Sequence, residues 1–222
     1  MKLYEAAPRD IARGAVVVVQ EAFGVNPHIE DVCRRFAAAG YHAVAPHLFH
    51  RSGDPILPYD DIPAVRPHLE ALTADGLAAD LDETLAHLGG LGFEHARIGI
   101  VGFCLGGSVV VVAAARYALG AAASFYGGGL ATGRFGMPPA VDLAPALRTP
   151  WIGFYGDLDQ GIPVDAVEAM RAAAATSAVP TEVVRYADAD HGFHCDARSS
   201  YHEPSALDAW ARTLAWFEAH LS

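Results

Sequence analysis

The chain has 222 residues, of which 52% are hydrophobic and 18% are charged. This composition excludes an intrinsically disordered chain, and no break in composition divides residues 1–222 into more than one domain. The formal net charge of −11 argues against nucleic acid or an anionic membrane surface as a partner.

The amino-terminal residues lack the apolar core of a signal peptide, and no uncharged stretch reaches the ~20 apolar residues that span a membrane. Cys33, Cys104 and Cys195 are too few and too irregularly spaced for a disulfide framework, and the histidines show no zinc-type spacing with a third ligand. We therefore expect a cytoplasmic protein with reduced thiols, without metal or other cofactor. It is expected to be a monomer or a small homo-oligomer.

Short apolar runs alternate with stretches of helical periodicity along the chain. In chain order, the first half predicts a strand at 14–19, a helix at 26–39, a strand at 41–45, a loop or cap at 47–67, a helix at 75–89 and a strand at 97–101. The second half predicts a helix through 108–115, a strand at 121–126, a surface loop at 133–149, a strand at 150–156, a helix at 163–177, a strand at 181–186 and a closing helix at 204–221. This alternation predicts an α/β protein with a mostly parallel sheet and helices on both faces.

The spacing of apolar residues also predicts which helix faces are buried. Asn26 is expected to cap the first helix, and Cys33 is expected on its buried face. The helix at 75–89 is expected to bury Leu77, Leu81, Leu85 and Leu88. The closing helix is expected to turn Leu207, Trp210, Leu214 and Phe217 towards the core.

The segment from 99 to 107 has the pattern of a sharp turn between a strand and a helix. Gly102 and Gly106 flank Cys104, which matches the Gly-x-Ser-x-Gly nucleophile elbow with cysteine in place of serine. A side chain at either glycine would crowd the strand against the helix. The dipole and free N–H groups at the helix start favour a thiolate and an oxyanion, although inert packing of a small buried cysteine also fits this turn.

Polar or reactive side chains follow most of the predicted strands at their carboxyl ends, where parallel sheets carry their sites. These residues are Glu21, Cys104, Tyr126, Asp159 and His191. A thiol becomes nucleophilic when a base takes its proton, and a carboxylate can orient that base. Cys104, Asp159 and His191 occur in the order nucleophile, acid, histidine that is typical of α/β-hydrolases.

The residues alone leave alternatives for the acid and the base. Asp157 follows its strand directly and could cap the turn, whereas Asp159 lies deeper in the loop. His194 is the nearest alternative to His191, which is favoured because it follows the strand through a short loop and has Gly192 beside it.

An acyl-transfer site also needs hydrogen-bond donors for the oxyanion. The backbone N–H of Leu105, directly after the nucleophile, and that of Ala22, after the first strand, are the expected donors. Glu21 lies beside Ala22 and has two interpretations. It forms a salt bridge that holds its loop, or it controls the protonation of Cys104.

Five segments of the chain together resemble the dienelactone hydrolase family. They are 20–26, 102–107, 125–127, 159–163 and 191–193, which occur in the family's order at similar spacing over almost the whole chain. The resemblance implies a single-domain α/β-hydrolase fold and hydrolysis of a small-molecule ester or lactone. It also implies that Cys104, His191 and Asp159 form the triad, which decides between the two aspartates.

The resemblance assigns roles to further residues. Glu21 matches the family's glutamate beside the thiol, which takes the thiol proton when substrate binds, and Ala22 and Leu105 match the oxyanion donors. Beyond the resemblance, Phe23 and Tyr126 are candidate substrate-binding residues. Family members also bind a substrate carboxylate with arginines, for which the candidates here are Arg198, Arg51 and Arg66.

Two departures from the family fall where substrate would be recognised. Cys195 stands where the family has an arginine, and the stretch 51–72 is short and unlike its counterpart. The resemblance therefore supports the type of reaction more strongly than the identity of the substrate. Two other functions stay open: a non-catalytic binding or stress protein of the same fold, and a redox protein in which Cys195 resolves oxidised Cys104.

Overall fold

The computed structural model describes residues 1–221, which contain seven strands. The strands are Leu3–Ala6 (β1), Ala15–Val19 (β2), His42–Pro46 (β3), Ile98–Phe103 (β4), Ala121–Phe125 (β5), Trp151–Gly156 (β6) and Thr181–Tyr186 (β7). They form one sheet in the order β1-β3-β2-β4-β5-β6-β7. Only β1, at one edge, runs antiparallel to its neighbour. The predicted α/β fold with a mostly parallel sheet is confirmed.

Seven α-helices and three short 3₁₀ turns connect the strands. The helices are Pro27–Ala38 (α1), Ile62–Glu70 (α2), Ala74–Gly90 (α3), Leu105–Arg116 (α4), Ala140–Leu143 (α5), Val164–Ala174 (α6) and Glu203–His220 (α7). The 3₁₀ turns are His50–Ser52, His95–Arg97 and Ala144–Ala146. On one face of the sheet α1 meets α7, where the rings of Phe36 and Phe217 stack 5.7 Å apart. On the other face α3 packs against α4, α4 against α5, and α5 against α6.

The three strands at the centre of the sheet are buried on both faces. Every residue of β2, β4 and β5 is buried. This explains why their sequences are continuous apolar runs and do not alternate between apolar and polar residues. The predicted helix faces are also confirmed for α1 and α3: Asn26 caps α1 by accepting from the N–H of Ile29 at 3.1 Å, Cys33 is fully buried, and α3 buries its four leucines.

The structure corrects several elements of the sequence prediction. The edge strand β1 was not predicted, because it has only four residues and they are partly exposed. The expected loop at 47–67 contains a 3₁₀ turn and the start of α2, whose only buried residue is Val65, so that it lacks a clear apolar period. The expected surface loop at 133–149 contains α5 and a 3₁₀ turn. Leu207 was assigned to the core of α7 and is 60% exposed, because Ala206 and Ala209 face inwards instead.

Cys33, Cys104 and Cys195 are all free in the described chain. Across residues 1–221, no helix combines the length and the apolarity needed to cross a membrane.

Candidate active site

Cys104 lies at the turn between β4 and α4 with a strained backbone. Its φ is 52° and its ψ is −108°, a conformation that is rare for a residue with a side chain. The turn depends on close backbone packing: a Cβ on Gly102 would lie 2.2 Å from the carbonyl oxygen of Gly106, and one on Gly106 would lie 2.3 Å from that of Val19. The thiol is held at the carboxyl end of the central strand and is partly exposed.

His191 and Asp159 meet at the same edge of the sheet, from the loops that follow β7 and β6. The imidazole Nδ1 lies 2.6 Å from Oδ2 of Asp159, whose side chain is only 4% exposed. The second carboxylate oxygen, Oδ1, accepts from the N–H of Gly161 at 2.8 Å, which fixes the carboxylate in its loop. This pair has the geometry in which a carboxylate sets the tautomer and the orientation of a histidine.

The two alternatives from the sequence have other partners. Asp157 accepts two hydrogen bonds of 2.7 Å from Arg185, so its carboxylate is occupied away from His191. His194 is buried, and its ring stacks on that of Phe103 with centroids 5.1 Å apart. Its Nε2 lies 3.4 Å from the guanidinium of Arg35 rather than near a carboxylate.

The electrostatics of His191 link it to both of its expected partners. Burial alone disfavours the charged imidazole, but the hydrogen bond with Asp159, the proximity of Cys104 and the charge of Asp159 outweigh burial and raise the pKa of His191 to about 10. The raised pKa favours the imidazolium form of His191, with a proton on both ring nitrogens. An imidazolium between a thiol and a carboxylate can donate that proton to a leaving group.

Glu21 is a fully buried carboxylate at the end of β2. Its Oε1 accepts from Nη1 of Arg198 at 3.3 Å, while its Oε2 has no hydrogen-bond partner in residues 1–221. Burial disfavours the charge on Arg198, but Glu21 and other nearby groups outweigh burial and raise the pKa of the guanidinium. The salt bridge expected as one interpretation of Glu21 is therefore present, and one carboxylate oxygen remains free to accept a further proton or hydrogen bond.

Arg198 is clamped between aromatic rings and the loop of His191. Its guanidinium carbon lies 5.7 Å from the ring centroid of Phe23 and 5.9 Å from that of Tyr59. On the other side it packs against Gly192, where an added Cβ would lie 2.4 Å from Nη1 and where φ is +82°. Gly192 is therefore required both for the backbone turn after His191 and for the approach of the guanidinium.

The other two candidate arginines do not reach this site. Arg51 donates two hydrogen bonds of 2.7 Å to the buried carboxylate of Asp80, on α3. Arg66 is 80% exposed and pairs with Glu70 within α2. Of the three arginines named from the sequence, Arg198 alone lies beside the expected catalytic groups.

Tyr126 has the second strained backbone of the site, with a φ of 39°. Its side chain is fully buried, and its ring lies edge-on to that of His191 with centroids 5.1 Å apart. Burial, together with the nearby charge of Glu21, raises the pKa of the phenol well above its usual value. The hydroxyl has no hydrogen-bond partner among the described residues, so it can donate to a bound molecule.

The two expected oxyanion donors are brought together by a contact between loops. The N–H of Gly106 donates to the carbonyl of Gln20 at 3.1 Å, which holds the loop after β2 against the start of α4. Leu105 is the first residue of α4, so its N–H has no acceptor within the helix. Ala22 follows in the adjoining loop, beside Glu21.

An open cleft of about 650 Å³ gives access to this edge of the sheet. It is lined by Tyr59, Asp60, Asp190, His191, Ala197, Arg198, Ser199 and Ser200. Tyr59 was not singled out from the sequence, because it lies in the irregular segment before α2. Its hydroxyl accepts hydrogen bonds from Nδ2 of Asn26 at 2.9 Å and from Sγ of Cys195 at 3.2 Å, contacts between segments far apart in the chain.

Comparison with known proteins identifies relatives that cover nearly the whole chain. The sequence profile of the dienelactone hydrolase family matches residues 1–221. The chain is 42% identical over 222 residues to the "Putative carboxymethylenebutenolidase" of Salmonella typhimurium, a match that covers 98% of this chain and 82% of that protein. It is 28% identical over 225 residues to the carboxymethylenebutenolidase of Rhodococcus opacus, with 99% and 86% covered. The crystal structure of a "Putative Dienelactone Hydrolase" from Klebsiella pneumoniae superposes with a TM-score of 0.88 at 43% identity, covering 97% of this chain and 92% of that one.

Proposed function

The chain belongs to the dienelactone hydrolase family, and on this premise we propose that it hydrolyses small carboxylic esters or lactones through an acyl-thioester on Cys104. Relatives named as carboxymethylenebutenolidases support a lactone or ester as substrate. The observation that carries the proposal is the 2.6 Å hydrogen bond between His191 and Asp159, together with the interaction of His191 with the thiol. These three side chains come from three different loops and have the chemistry of a nucleophile, a base and an orienting acid.

In the proposed first half-reaction, Glu21 takes the proton of Cys104 through its unpartnered Oε2 as the sulfur attacks the carbonyl carbon. The N–H groups of Ala22 and Leu105 stabilise the oxyanion of the tetrahedral intermediate. His191 then donates its proton to the leaving alkoxide, which stays attached to the acyl chain when the substrate is a lactone.

In the second half-reaction, neutral His191 takes a proton from water, and the hydroxide attacks the thioester carbonyl. Asp159 stabilises the imidazolium that forms again. The thiolate of Cys104 leaves and recovers its proton from Glu21, so that each group returns to its starting state. The products are a carboxylic acid and the hydroxyl group that left in the first step.

Arg198 and Tyr126 are the proposed substrate-binding groups, with Phe23 beside them. The free protein already neutralises Arg198 with Glu21, and a substrate carboxylate would compete for the same guanidinium. The unpartnered hydroxyl of Tyr126 supports a hydrogen bond to substrate. These groups favour an ester or lactone that carries a carboxylate. The three free cysteines support a reducing compartment, the cytoplasm, as its location.

The proposal is tested by a screen of lactones and small aryl esters, with and without a carboxylate, followed by mass spectrometry of the intact protein. Cys104→Ala is expected to abolish turnover and the acyl adduct, because it removes the nucleophile. With an aryl ester, whose phenolate leaves without needing a proton, His191→Ala is expected to accumulate the adduct, because the deacylating water loses its base.

The matched control is Cys195→Ser, which is expected to keep turnover because the proposed chemistry does not use that thiol. Loss of turnover in this control would instead favour the redox function of Cys104 and Cys195. Tight binding of a lactone without turnover would favour the non-catalytic binding protein.

A further inference from the structure

Three donor side chains of different chemistry meet between α1 and the segment that follows His191. They are the imidazole of His28, the thiol of Cys195 and the carboxylate of Asp196, whose donor atoms all lie within 4.8 Å of one another. Nitrogen, sulfur and oxygen from these residue types are the ligands that proteins offer to Zn²⁺ and similar cations. None of the three has a role in the proposed hydrolysis.

The buried imidazole of His28 is incompletely partnered in the described chain. Its side chain is 4% exposed, and its Nε2 has no hydrogen-bond partner in the described chain. Its other ring nitrogen, Nδ1, is the one nearest Asp196 and lies 3.7 Å from Oδ1 of that residue, too far for a hydrogen bond and close to the spacing of two ligands on one cation.

Cys195 and Asp196 complete the donor set on one hydrogen-bonded turn. The N–H of Cys195 donates to the carbonyl of Gly192 at 3.0 Å, and the carbonyl of Cys195 accepts from the N–H of Arg198 at 3.1 Å. The thiol of Cys195 is fully buried and donates to the hydroxyl of Tyr59 at 3.2 Å. The side chain of Asp196 is 77% exposed, so the cluster borders solvent.

We propose that His28, Cys195 and Asp196 bind one thiophilic divalent cation of the Zn²⁺ type, which ties the segment 191–198 to α1. Tetrahedral coordination needs ligand atoms roughly 3.5 Å apart, so the donors must move closer when the cation binds, and the exposed side chain of Asp196 is free to do so. Water takes the fourth position. The thiol of Cys195 gives up its hydrogen bond to Tyr59 and releases one proton to solvent for each cation bound.

The test is titration with Co²⁺, which reports a thiolate ligand by a charge-transfer absorption and a tetrahedral site by its visible bands. The protein used is the Cys104→Ser variant, so that the partly exposed thiol of the elbow cannot contribute a ligand. One equivalent of Co²⁺ is expected to give both absorptions, to be displaced by Zn²⁺, and to bind more tightly as pH rises. Zn²⁺ is also expected to raise the midpoint of thermal unfolding.

Two further substitutions in the same background assign the ligands. Cys195→Ser is expected to remove the charge-transfer absorption, and Asp196→Asn is expected to weaken Co²⁺ binding by about 10-fold or more. Asp196 is exposed, so its variant folds like the parent protein. The matched control is Asp188→Asn, an exposed aspartate outside the cluster, which is expected to leave the affinity unchanged. The proposal is overturned if Co²⁺ gives no thiolate absorption, if that absorption survives Cys195→Ser, or if Asp196→Asn binds as tightly as the control.

Discussion

The buried charge of Glu21 is paired with a residue far away in the chain, Arg198. The carboxylate is fully buried, and its one charged hydrogen-bond donor, Arg198, comes from the loop after β7. Breaking a buried ion pair by removing one partner leaves a charge without compensation, which costs more than the pair itself contributes. The pair therefore constrains both loops in the free protein.

Replacing the guanidinium is expected to destabilise the fold through Glu21. Arg198→Met should lower the free energy of unfolding by about 3 kcal/mol, measured by urea denaturation, because Glu21 is left buried and unpaired. Adding Glu21→Gln should recover much of this loss. The control is Arg66→Met, at an exposed pair within α2, which should cost less than about 1 kcal/mol. Equal losses in the two single variants would contradict this account of the pair.

The expected site residues could be named from the sequence because each one follows a strand in a local pattern. Cys104 has its flanking glycines, and His191 and Asp159 follow their strands at spacings that resemble the family. No local sequence pattern predicts the contacts of Tyr59. Its hydroxyl accepts hydrogen bonds from Asn26 and Cys195, which are far apart in the chain. The choice among three arginines likewise depended on tertiary partners that no local pattern shows.

At the scale of elements, the strands and helices that are fully buried or clearly amphipathic were the easiest to predict from the sequence. Strands β2, β4 and β5 are apolar throughout, and α3 buries one leucine face, so both kinds of pattern are strong. The edge strand β1 and the helix α2 are partly exposed, and their apolar pattern is weak. Their positions are set by packing against β3 and by the cap of Asp61, which accepts from the N–H of Ala64 at 3.1 Å.

The elbow between β4 and α4 is expected to tolerate no methyl group at Gly106. A Cβ there would lie 2.3 Å from the carbonyl oxygen of Val19, which belongs to the backbone of β2 and cannot move aside. Gly106→Ala should lower the free energy of unfolding by about 3 kcal/mol or prevent folding, because overpacking forces the backbone to shift. Thermal and urea unfolding measure this loss.

The control for that substitution is Gly89→Ala in α3, where an added Cβ meets no atom within 4 Å. It should stabilise the protein by about 0.5–1 kcal/mol, because alanine loses less conformational entropy in a helix than glycine. A mild effect of Gly106→Ala, similar in size to that of the control, would mean that the elbow is less tightly packed than the distances imply.

The contact between the turn His50–Ser52 and α3 depends on a second buried carboxylate. Asp80 is 1% exposed and is held by Arg51 through two hydrogen bonds of 2.7 Å, with His50 at 3.1 Å. Arg51→Met should therefore lower the free energy of unfolding by about 3 kcal/mol. It should leave kcat/KM for a carboxylate-bearing ester unchanged, since Arg51 does not line the cleft. A selective rise in KM for such substrates would restore Arg51 as a substrate-binding residue.

At the scale of the whole molecule, the stability of the fold is expected to depend on pH through His191. Its pKa is near 6.5 in an unfolded chain and is raised to about 10 in the folded protein. The folded state therefore binds a proton more tightly. The resulting stabilisation is fully present below pH ~6.5 and is lost as pH rises towards ~10.

This dependence can be isolated with a variant that does not titrate. The difference in the free energy of unfolding between the natural protein and His191→Gln, measured by urea denaturation, should shrink between pH ~6.5 and ~10. Groups such as Cys195, whose pKa is raised to about 11, titrate in both proteins and cancel in the difference. A difference that stays constant over this range would show that the imidazole is not held in its charged form.

The order of the site residues along the chain has a consequence for biosynthesis. Cys104 emerges from the ribosome with the central strand, whereas His191 and Arg198 emerge only after β7 has been made. A nascent chain that has reached β6 already contains the thiol and the carboxylate of Glu21, but neither the imidazole nor the guanidinium that accompany them. Premature termination before residue 191 therefore releases a fragment that contains the proposed nucleophile but lacks its proposed base.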